Sequence, residues 1–329
     1  MKQKNKKKHI FRPVAVAFLL FLSACSGNEP AAKESVPATV RTSSVTTSAT
    51  SSATSSATSS TTSSATESDT TSITSSGTAS GIKIDPPTEE FTDTETESTE
   101  KDPLSTELVL ATLNIKHGAE GLDTIAEAIK EFSPDIIGLE EVDVFCERSG
   151  YVDEPAELAE LAGYPYFAFS KAINLGDGEY GTAILSRYPI ESFDVTPLES
   201  GNGERRSLGH AVVNVEGLPI DVFVTHLSYE SRSLRIEQME AIAEILSGCN
   251  YYALMGDLNS FNLEDVSYLG GAYYVNRPDR SYTTFRRRSM SIDHIVVSRG
   301  FTELSSGVSE KECSDHKMLY ARFRFSEES

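Results

Sequence analysis

Polar side chains with catalytic potential follow or interrupt the apolar runs of this 329-residue chain. Six such places use only Asn, Asp, Glu and His: Asn114; Glu141; His226; Asp257 with Asn259; Asp293 with His294; and Asp315 with His316. Each alone is typical of a turn, because Asn and Asp side chains bond to nearby backbone. Six such places in one chain favour a shared cleft, because strands of one sheet can bring their ends together. There, carboxylate and amide oxygens suit a hard cation, an Asp can deprotonate water, and His can stabilise or protonate an anion.

Alternating strands and helices must bring these residues together. Apolar residues at helical spacing predict a first helix: Leu122, Ile125, Ala126, Ile129 and Phe132. Further helices are predicted at Pro155–Gly163 and Ser231–Ser247. The predicted strands are Leu108–Leu113, Asp135–Leu139, Tyr164–Ser170, Glu179–Ser186, Gly209–Val215, Pro219–Thr225, Tyr251–Met255, Ile292–Val297 and Met318–Phe325. We predict two sheets packed face to face, with the helices outside.

Seven short motifs occur in an order that resembles the endonuclease/exonuclease/phosphatase superfamily. They are Thr112–Ile115, Leu139–Val142, Tyr180–Arg187, Thr225–Leu227, Gly256–Asn259, Ser291–Ile295 and Ser314–His316. The resemblance extends over about Leu108 to Phe325, nearly the whole segment with globular composition. It implies an α+β, deoxyribonuclease I-like fold: a four-layer α/β/β/α sandwich of two mostly antiparallel sheets.

The resemblance also implies a metal site. Glu141 would be the principal ligand, supported by Asn114, and Asp315 would complete or orient the metal shell. The expected cofactor is Mg²⁺ or Mn²⁺, as one or two ions.

The matched motifs further imply catalytic roles for five residues. Asp257 would position and deprotonate the attacking water, and Asn259 would hold the phosphate or Asp257 itself. His226 would donate to a phosphate oxygen. His316 would contact the scissile phosphate while Asp293 fixes its tautomer. The reaction implied is attack of water on a phosphomonoester or phosphodiester.

Glu140 departs from the family pattern, which more often has Gln at this place. In a regular strand it points to the face opposite Glu141. We therefore do not expect it to bind metal, and Glu140→Ala should reduce activity far less than Glu141→Ala.

The N-terminus has the features of a lipoprotein signal. Residues 2–8 are rich in Lys, Val14–Leu22 is apolar, and Leu22-Ser23-Ala24-Cys25 resembles a bacterial lipobox. We predict a signal peptide at 1–24, a lipid on Cys25 and a location on the outer side of the cell membrane. An ordinary cleavage site that happens to contain a cysteine is the alternative.

A low-complexity segment separates Cys25 from the domain. Between Thr42 and Ser80, 29 of 39 residues are Ser or Thr. Such a segment has too little apolar surface to offset its ordering entropy, so we predict a disordered tether over 25–103 and a catalytic domain over 104–329.

Charge bears on the substrate. Residues 104–329 carry 19 basic and 37 acidic side chains, a net charge of −18. Long-range repulsion disfavours a non-specific nucleic-acid coat protein, whereas a bound divalent metal can reverse the field locally. Arg206 and the cluster Arg286, Arg287 and Arg288 are candidate substrate-binding residues, with a solvated surface as the simpler interpretation of the cluster.

We expect a monomeric enzyme that hydrolyses a small phosphoester or a lipid headgroup. A tethered nuclease that scavenges nucleic acid is the first alternative. A catalytically silent binding lipoprotein is the second, although it would be expected to lack Glu141, Asp257 or His316. Cys146, Cys249 and Cys313 match no zinc pattern, and either three thiols or one disulfide with one thiol agrees with the sequence.

Overall fold

The structure is a computed structural model that describes residues 41–42, 106–270 and 273–325. The predicted signal peptide, Cys25 and all of the predicted tether except Arg41–Thr42 lie outside these residues. In the described ranges, thirteen strands form two sheets and three α-helices accompany them.

The first sheet has the strand order β1-β4-β5-β3-β2-β13-β12. All neighbours are antiparallel except β2 and β3, which are parallel. Its strands are β1 (Arg41–Thr42), β2 (Glu107–Asn114), β3 (Ile136–Val144), β4 (Tyr166–Leu175), β5 (Gly178–Ser186), β12 (Phe301–Val308) and β13 (Leu319–Phe325).

The second sheet has the order β10-β11-β9-β8-β7-β6. Here β8 and β9 are the parallel pair. Its strands are β6 (Ile190–Leu198), β7 (Arg206–Val215), β8 (Leu218–His226), β9 (Tyr252–Asp257), β10 (Tyr273–Tyr274) and β11 (Asp293–Val297).

Each parallel pair needs a crossover, and a helix provides it. Helix α1 (Leu122–Phe132) joins β2 to β3, and α3 (Arg232–Leu246) joins β8 to β9. Helix α2 (Glu154–Ala162) follows β3, where Asp153 caps its first turn and Pro155 lies within that turn. None of the helices in the described ranges combines the length and apolarity that crossing a bilayer requires.

Three apolar clusters define four layers. The largest lies between the sheets and includes Leu110, Val224 and Met255. A second packs α1 and α2 on the outer face of the first sheet, and a third packs α3 on the outer face of the second. The predicted α/β/β/α sandwich of mostly antiparallel sheets is therefore confirmed.

The predicted strands and helices are all present, but the pattern missed four strands. Strands β6 and β12 lie at sheet edges and carry many exposed polar residues, so their alternation is weak. Strands β1 and β10 have two residues each, too few to show a period.

Candidate active site

One cavity of about 390 Å³ collects polar groups from both sheets. The parallel pair β2 and β3 supplies Asn114 and Glu141, whereas β8 and β9 supply His226 and Asp257. The carboxyl ends of parallel strands lie at the same edge of a sheet, and here the two edges face each other across the cavity. Its lining includes these predicted residues: Glu141, Arg206, His226, Asp257, Asn259, Asp315 and His316.

A β-bulge directs Glu141 into this cavity. Strand β3 does not end at Glu141 but continues to Val144, with a register shift against β5 between Glu140 and Val142. Glu141 has a φ of +55°, in the left-handed region that non-glycine residues rarely adopt. Leu139 packs in the helix-side core, so regular alternation would turn Glu141 toward that core. The bulge turns it toward the cavity instead.

Asn114 joins the two halves of the site. Its Nδ2 donates to Glu141 Oε1 at 2.9 Å and to Asp257 Oδ2 at 3.2 Å, which links the first sheet to the second. Its backbone carbonyl accepts from Ser314 Oγ at 2.7 Å, next to Asp315. One buried amide therefore sets the spacing between the predicted metal side and the predicted base.

His316 forms a buried pair with Asp293. His316 Nδ1 is 2.9 Å from Asp293 Oδ2, and its Nε2 is 3.9 Å from Asp257 Oδ2. Burial opposes a charge on this ring, but attraction to Asp293, their hydrogen bond and the charge of Asp257 outweigh it and raise the pKa of His316 to about 10. The ring therefore carries a proton on Nε2 at neutral pH.

Asp257 is poised between its charged and neutral forms. Burial and repulsion by Asp293 raise its pKa to about 7, whereas His316 and hydrogen bonds from Asn259 and Asn114 oppose the rise. Asn259 contributes its backbone N–H, 2.8 Å from Asp257 Oδ1. A carboxylate with a pKa near the working pH suits a general base.

His226 is neutral. Burial, followed by the positive charges of Arg206 and His316, lowers its pKa well below the ordinary value. Asn259 Nδ2 donates to His226 Nε2 at 2.9 Å and to the carbonyl of Leu227 at 2.9 Å. Nε2 is therefore the acceptor and the proton lies on Nδ1, which is fully buried and has no hydrogen-bond partner among the described residues.

Two positively charged side chains lie near the carboxylate of Asp315. Lys116 Nζ lies 3.1 Å and Arg287 Nε 3.5 Å from Asp315 Oδ2. Lys116 also lines the cavity, and sequence analysis did not single it out. The sequence places it two residues after Asn114, and the structure shows that the backbone bends there, with positive φ at Lys116 and His117.

The predicted arginines divide into two groups. Arg206 lines the cavity and is only 3% exposed, with Nη1 3.0 Å from Glu204 Oε1. Arg286 and Arg288 are not among the cavity residues, and Arg286 donates to Glu312 and to the carbonyl of Lys311. Arg287 reaches the site only through Asp315.

Arg148 and Tyr229 also lie on the cavity wall, and no pattern in the sequence indicated them. Arg148 donates two hydrogen bonds to Asp143 and lies over the Tyr180 ring at 5.3 Å from its centroid. Tyr229 is 66% exposed. Both lie in connecting segments without periodicity, so only tertiary structure reveals them.

The residues near Glu141 fit a divalent cation. Glu141 and Asp315 both line this cavity and offer carboxylate oxygens, the ligand type of hard divalent cations. Lys116 and Arg287 balance the charge of Asp315 in this structure. Another cluster consists of the carboxylates of Asp257 and Asp293 and the imidazole of His316. One possible metal-ligand atom from each residue lies within 4.8 Å of those from the other two. In that cluster Asp293 occupies His316 Nδ1, so it fits proton handling better than metal binding.

Cys146, Cys249 and Cys313 are free thiols and lie away from this cavity lining. Of the two arrangements that the sequence left open, the structure has three thiols.

Comparison with known families agrees with this fold and motif order. A model of the Endonuclease/Exonuclease/phosphatase family matches residues 111–316, more than half of the chain. The chain therefore belongs to this family, whose members are in general phosphoester hydrolases. A comparison with curated proteins found no match.

Solved structures of low identity share the fold. The endonuclease/exonuclease/phosphatase from Beutenbergia cavernae is 22% identical, with a TM-score of 0.59 over 67% of this chain and 72% of that chain. Truncated TDP2 from Caenorhabditis elegans is 23% identical, with a TM-score of 0.53 over 67% and 98%. A family protein from Leptotrichia buccalis is 20% identical, with a TM-score of 0.54 over 66% and 100%. The predicted deoxyribonuclease I-like fold is confirmed.

Proposed function

We propose that the protein is a metal-dependent phosphoester hydrolase that acts outside the cytoplasm on a small phosphoester or a lipid headgroup. The observation that carries the proposal is the junction at Asp257. Its carboxylate is hydrogen-bonded to Asn114, which also holds Glu141, and lies 3.9 Å from the charged His316. A base, a cationic donor and oxygen ligands thus meet in one cavity.

In the proposed reaction, a water oxygen bonds to phosphorus as the phosphorus–oxygen bond to the leaving group breaks. Asp257 accepts the proton of the water, and the leaving oxygen takes a proton from solvent. His316 donates from Nε2 to a phosphoryl oxygen and is held by Asp293 at Nδ1. The neutral His226 lies beside the base, with Nε2 3.6 Å from Asp257 Oδ2, and would donate to the phosphate only if Asn259 released Nε2 and the ring proton moved to it.

Glu141 and Asp315, with Asn114 in support, would hold Mg²⁺ or Mn²⁺, whose positive charge would help neutralise the phosphoryl oxygens. Lys116 would then reorient from Asp315 toward the substrate phosphate. Oxygen ligands suit either ion.

The preference for a small substrate or headgroup rests on charge and on the cavity. A net charge of −18 over 104–329 repels an extended polyanion. Apolar side chains, among them Ile173, Leu175 and Tyr229, share the cavity wall with the charged groups. Such a wall suits the uncharged part of a compact substrate.

The test is a substrate screen with the full chain purified in detergent. Plasmid DNA, RNA, phosphatidylinositol, sphingomyelin, inositol phosphates and bis-p-nitrophenyl phosphate would be incubated with Mg²⁺ or Mn²⁺, against an EDTA control. Asp257→Asn, which keeps the shape of the side chain, is the blank. Turnover of a lipid or small ester with intact plasmid supports the proposal.

Metal-dependent plasmid nicking that Asp257→Asn abolishes would instead identify a nuclease. No hydrolysis of any substrate, together with ligand binding that Glu141→Gln leaves unchanged, would support the silent binding protein.

We also propose that a lipid on Cys25 anchors the chain to the outer side of the cell membrane. Cys25→Ser should move the protein from the membrane fraction to the soluble fraction. Cys249→Ser is the matched control and should remain with the membrane. A chain that stays membrane-bound after Cys25→Ser would exclude this anchor.

A further inference from the structure

A second cavity lies beside the catalytic one and shares Arg206 with it. This cavity has a volume of about 440 Å³ and is lined by β4, the end of β6, the segment that follows β6 and the start of β7. Its basic side chains are Lys171, Arg205 and Arg206, and its single acidic one is Glu199. We call these three basic residues and their cavity the basic subsite.

We propose that the basic subsite binds a second phosphate group of the substrate, beside the phosphate that is hydrolysed. The inference rests on the proposed function and specifies its substrate class: a compact bisphosphorylated molecule or the bisphosphorylated headgroup of a lipid.

Arg206 is the first reason. The side chain is 3% exposed and lines both cavities, and its Nε has no hydrogen-bond partner among the described residues. Its one ion pair is to Glu204, at 3.0 Å from Nη1. Nε itself is fully buried, so a ligand would meet the guanidinium only through the atoms that line the two cavities, and a phosphate oxygen is a suitable acceptor for them.

The local charge is the second reason. Arg205 is exposed and forms no ion pair within the described part of the chain. Lys171 pairs with Glu179 at 2.6 Å, but both side chains are 41% exposed, so exchanging Glu179 for a substrate anion requires little free energy. Glu199 Oε1 already accepts from the backbone of Ser200 and Gly201. A basic patch thus adjoins the catalytic cavity of an acidic domain.

The passage between the cavities limits the geometry. The gap lined by Arg206, Ser207, Thr182 and His226 is about 10 Å³, room for roughly one water. A bisphosphorylated substrate would therefore place one phosphate in each cavity, on either side of Arg206. This arrangement favours two phosphates on one small framework over a single phosphate.

The experiment measures binding by calorimetry with full-chain Asp257→Asn, which cannot turn substrate over. The ligands are inositol 1,4-bisphosphate and inositol 1-phosphate, and then vesicles that contain phosphatidylinositol 4-phosphate or phosphatidylinositol. We expect at least tenfold tighter binding of the bisphosphorylated member of a pair. The soluble pair and the vesicle pair distinguish a free ligand from a lipid headgroup.

Substitutions in the basic subsite test whether it causes the preference for the bisphosphate. Lys171→Ala with Arg205→Ala should bring the Kd of the bisphosphate to that of the monophosphate and leave the monophosphate unchanged. The control, Lys130→Ala with Arg322→Ala, removes two exposed charges outside the subsite lining and should keep the preference.

Equal affinity for the bisphosphorylated and the monophosphorylated member of each pair would overturn the proposal of a second phosphate site. Hydrolysis of bis-p-nitrophenyl phosphate by the wild type separates this result from failure of the proposed function, because that assay does not need the subsite. Binding of a short oligonucleotide that requires Lys171 and Arg205, without binding of inositol bisphosphate, would also overturn it.

Discussion

Glu140 and Glu141 are neighbours in sequence but occupy different environments. Glu141 faces the cavity, whereas Glu140 is fully buried and accepts from Thr112 Oγ1 at 2.7 Å. Burial, followed by repulsion from Asp293, raises the pKa of Glu140 well above its ordinary value. These surroundings therefore favour the neutral acid, which has the shape and polarity of Gln.

Substitution by Gln should separate these two roles. Glu141→Gln should lower kcat/KM by about 100-fold or more, because a charged ligand is lost. Glu140→Gln should keep kcat/KM within a few-fold. Steady-state kinetics on one phosphoester measures both, and equal losses would contradict the assignment.

Glu140→Gln should also change stability with pH. The folded pKa of Glu140 is raised, so the wild type loses stability as pH rises through the unfolded value toward the folded one. The Gln variant lacks this loss. Its Tm should therefore exceed that of the wild type at pH 8 and match it more closely at pH 5.

Under the proposed mechanism, Asp257 and His316 should set the pH range of activity. The base must be charged and His316 must keep its proton, so kcat/KM should rise with pH until about 7 and fall near 10. A pH–rate profile of the wild type measures this window. A rate that is flat from pH 5 to 7 would argue against Asp257 as the base.

His294 should make the fold sensitive to acid. The ring is buried near the backbone of Ser260 and Ser291, and neither nitrogen makes a hydrogen bond of good geometry within the described residues. Burial lowers its pKa to about 4. As pH falls from about 6.5 to 4, the unfolded chain takes up the proton first, so stability decreases.

Removing this group should remove part of the acid sensitivity. Between pH 7 and pH 5 the wild type should lose about 2 kcal/mol more unfolding free energy than His294→Phe. Urea unfolding at both pH values measures the difference, and comparing the two pH values cancels any change in packing. Identical losses would show that His294 is not a buried neutral ring.

At the scale of elements, the site depends on the close approach of β8 and β9. These strands carry His226 and Asp257, which are register partners. A Cβ at Gly256 would lie 2.0 Å from the carbonyl oxygen of Thr225, so only glycine permits this spacing. The glycine before Asp257 is therefore a structural requirement of the site.

Gly256→Ala should separate the two strands. We expect a loss of about 1–3 kcal/mol of unfolding free energy, the usual range for overpacking, together with a marked loss of kcat. Gly248→Ala is the control, since a Cβ there meets only Ile245 O at 3.5 Å. Chemical denaturation of both variants measures the effect, and similar stability would contradict it.

At the scale of the whole molecule, a metal ion should stabilise the fold. Glu141 and Asp315 come from β3 and the segment before β13, and Asn114 links Glu141 to Asp257 of the other sheet. A ligand that binds only the folded chain stabilises it by mass action. At 100 times its Kd, Mg²⁺ or Mn²⁺ should raise Tm by about 5–10 °C.

Thermal unfolding with increasing metal measures this effect without any substrate. Glu141→Gln should shift little, whereas Glu147→Gln, at an exposed carboxylate outside the cavity lining, should shift like the wild type. An equal rise in Tm for Glu141→Gln would show that the metal does not bind at Glu141.

The sequence alone determined the layer order, most strands and helices, and the residues that meet at Asp257. Periodicity reports which face of an element is buried, and the family motifs report which strand ends carry chemistry. The edge strands were not predicted, because their exposed residues do not alternate regularly between apolar and polar types. Tertiary structure alone decided that Glu141 lies on a bulge, that Lys116 pairs with Asp315, and that Arg206 divides two cavities while Arg286 faces Glu312. These features depend on contacts between residues far apart in sequence, and the local sequence pattern does not report such contacts.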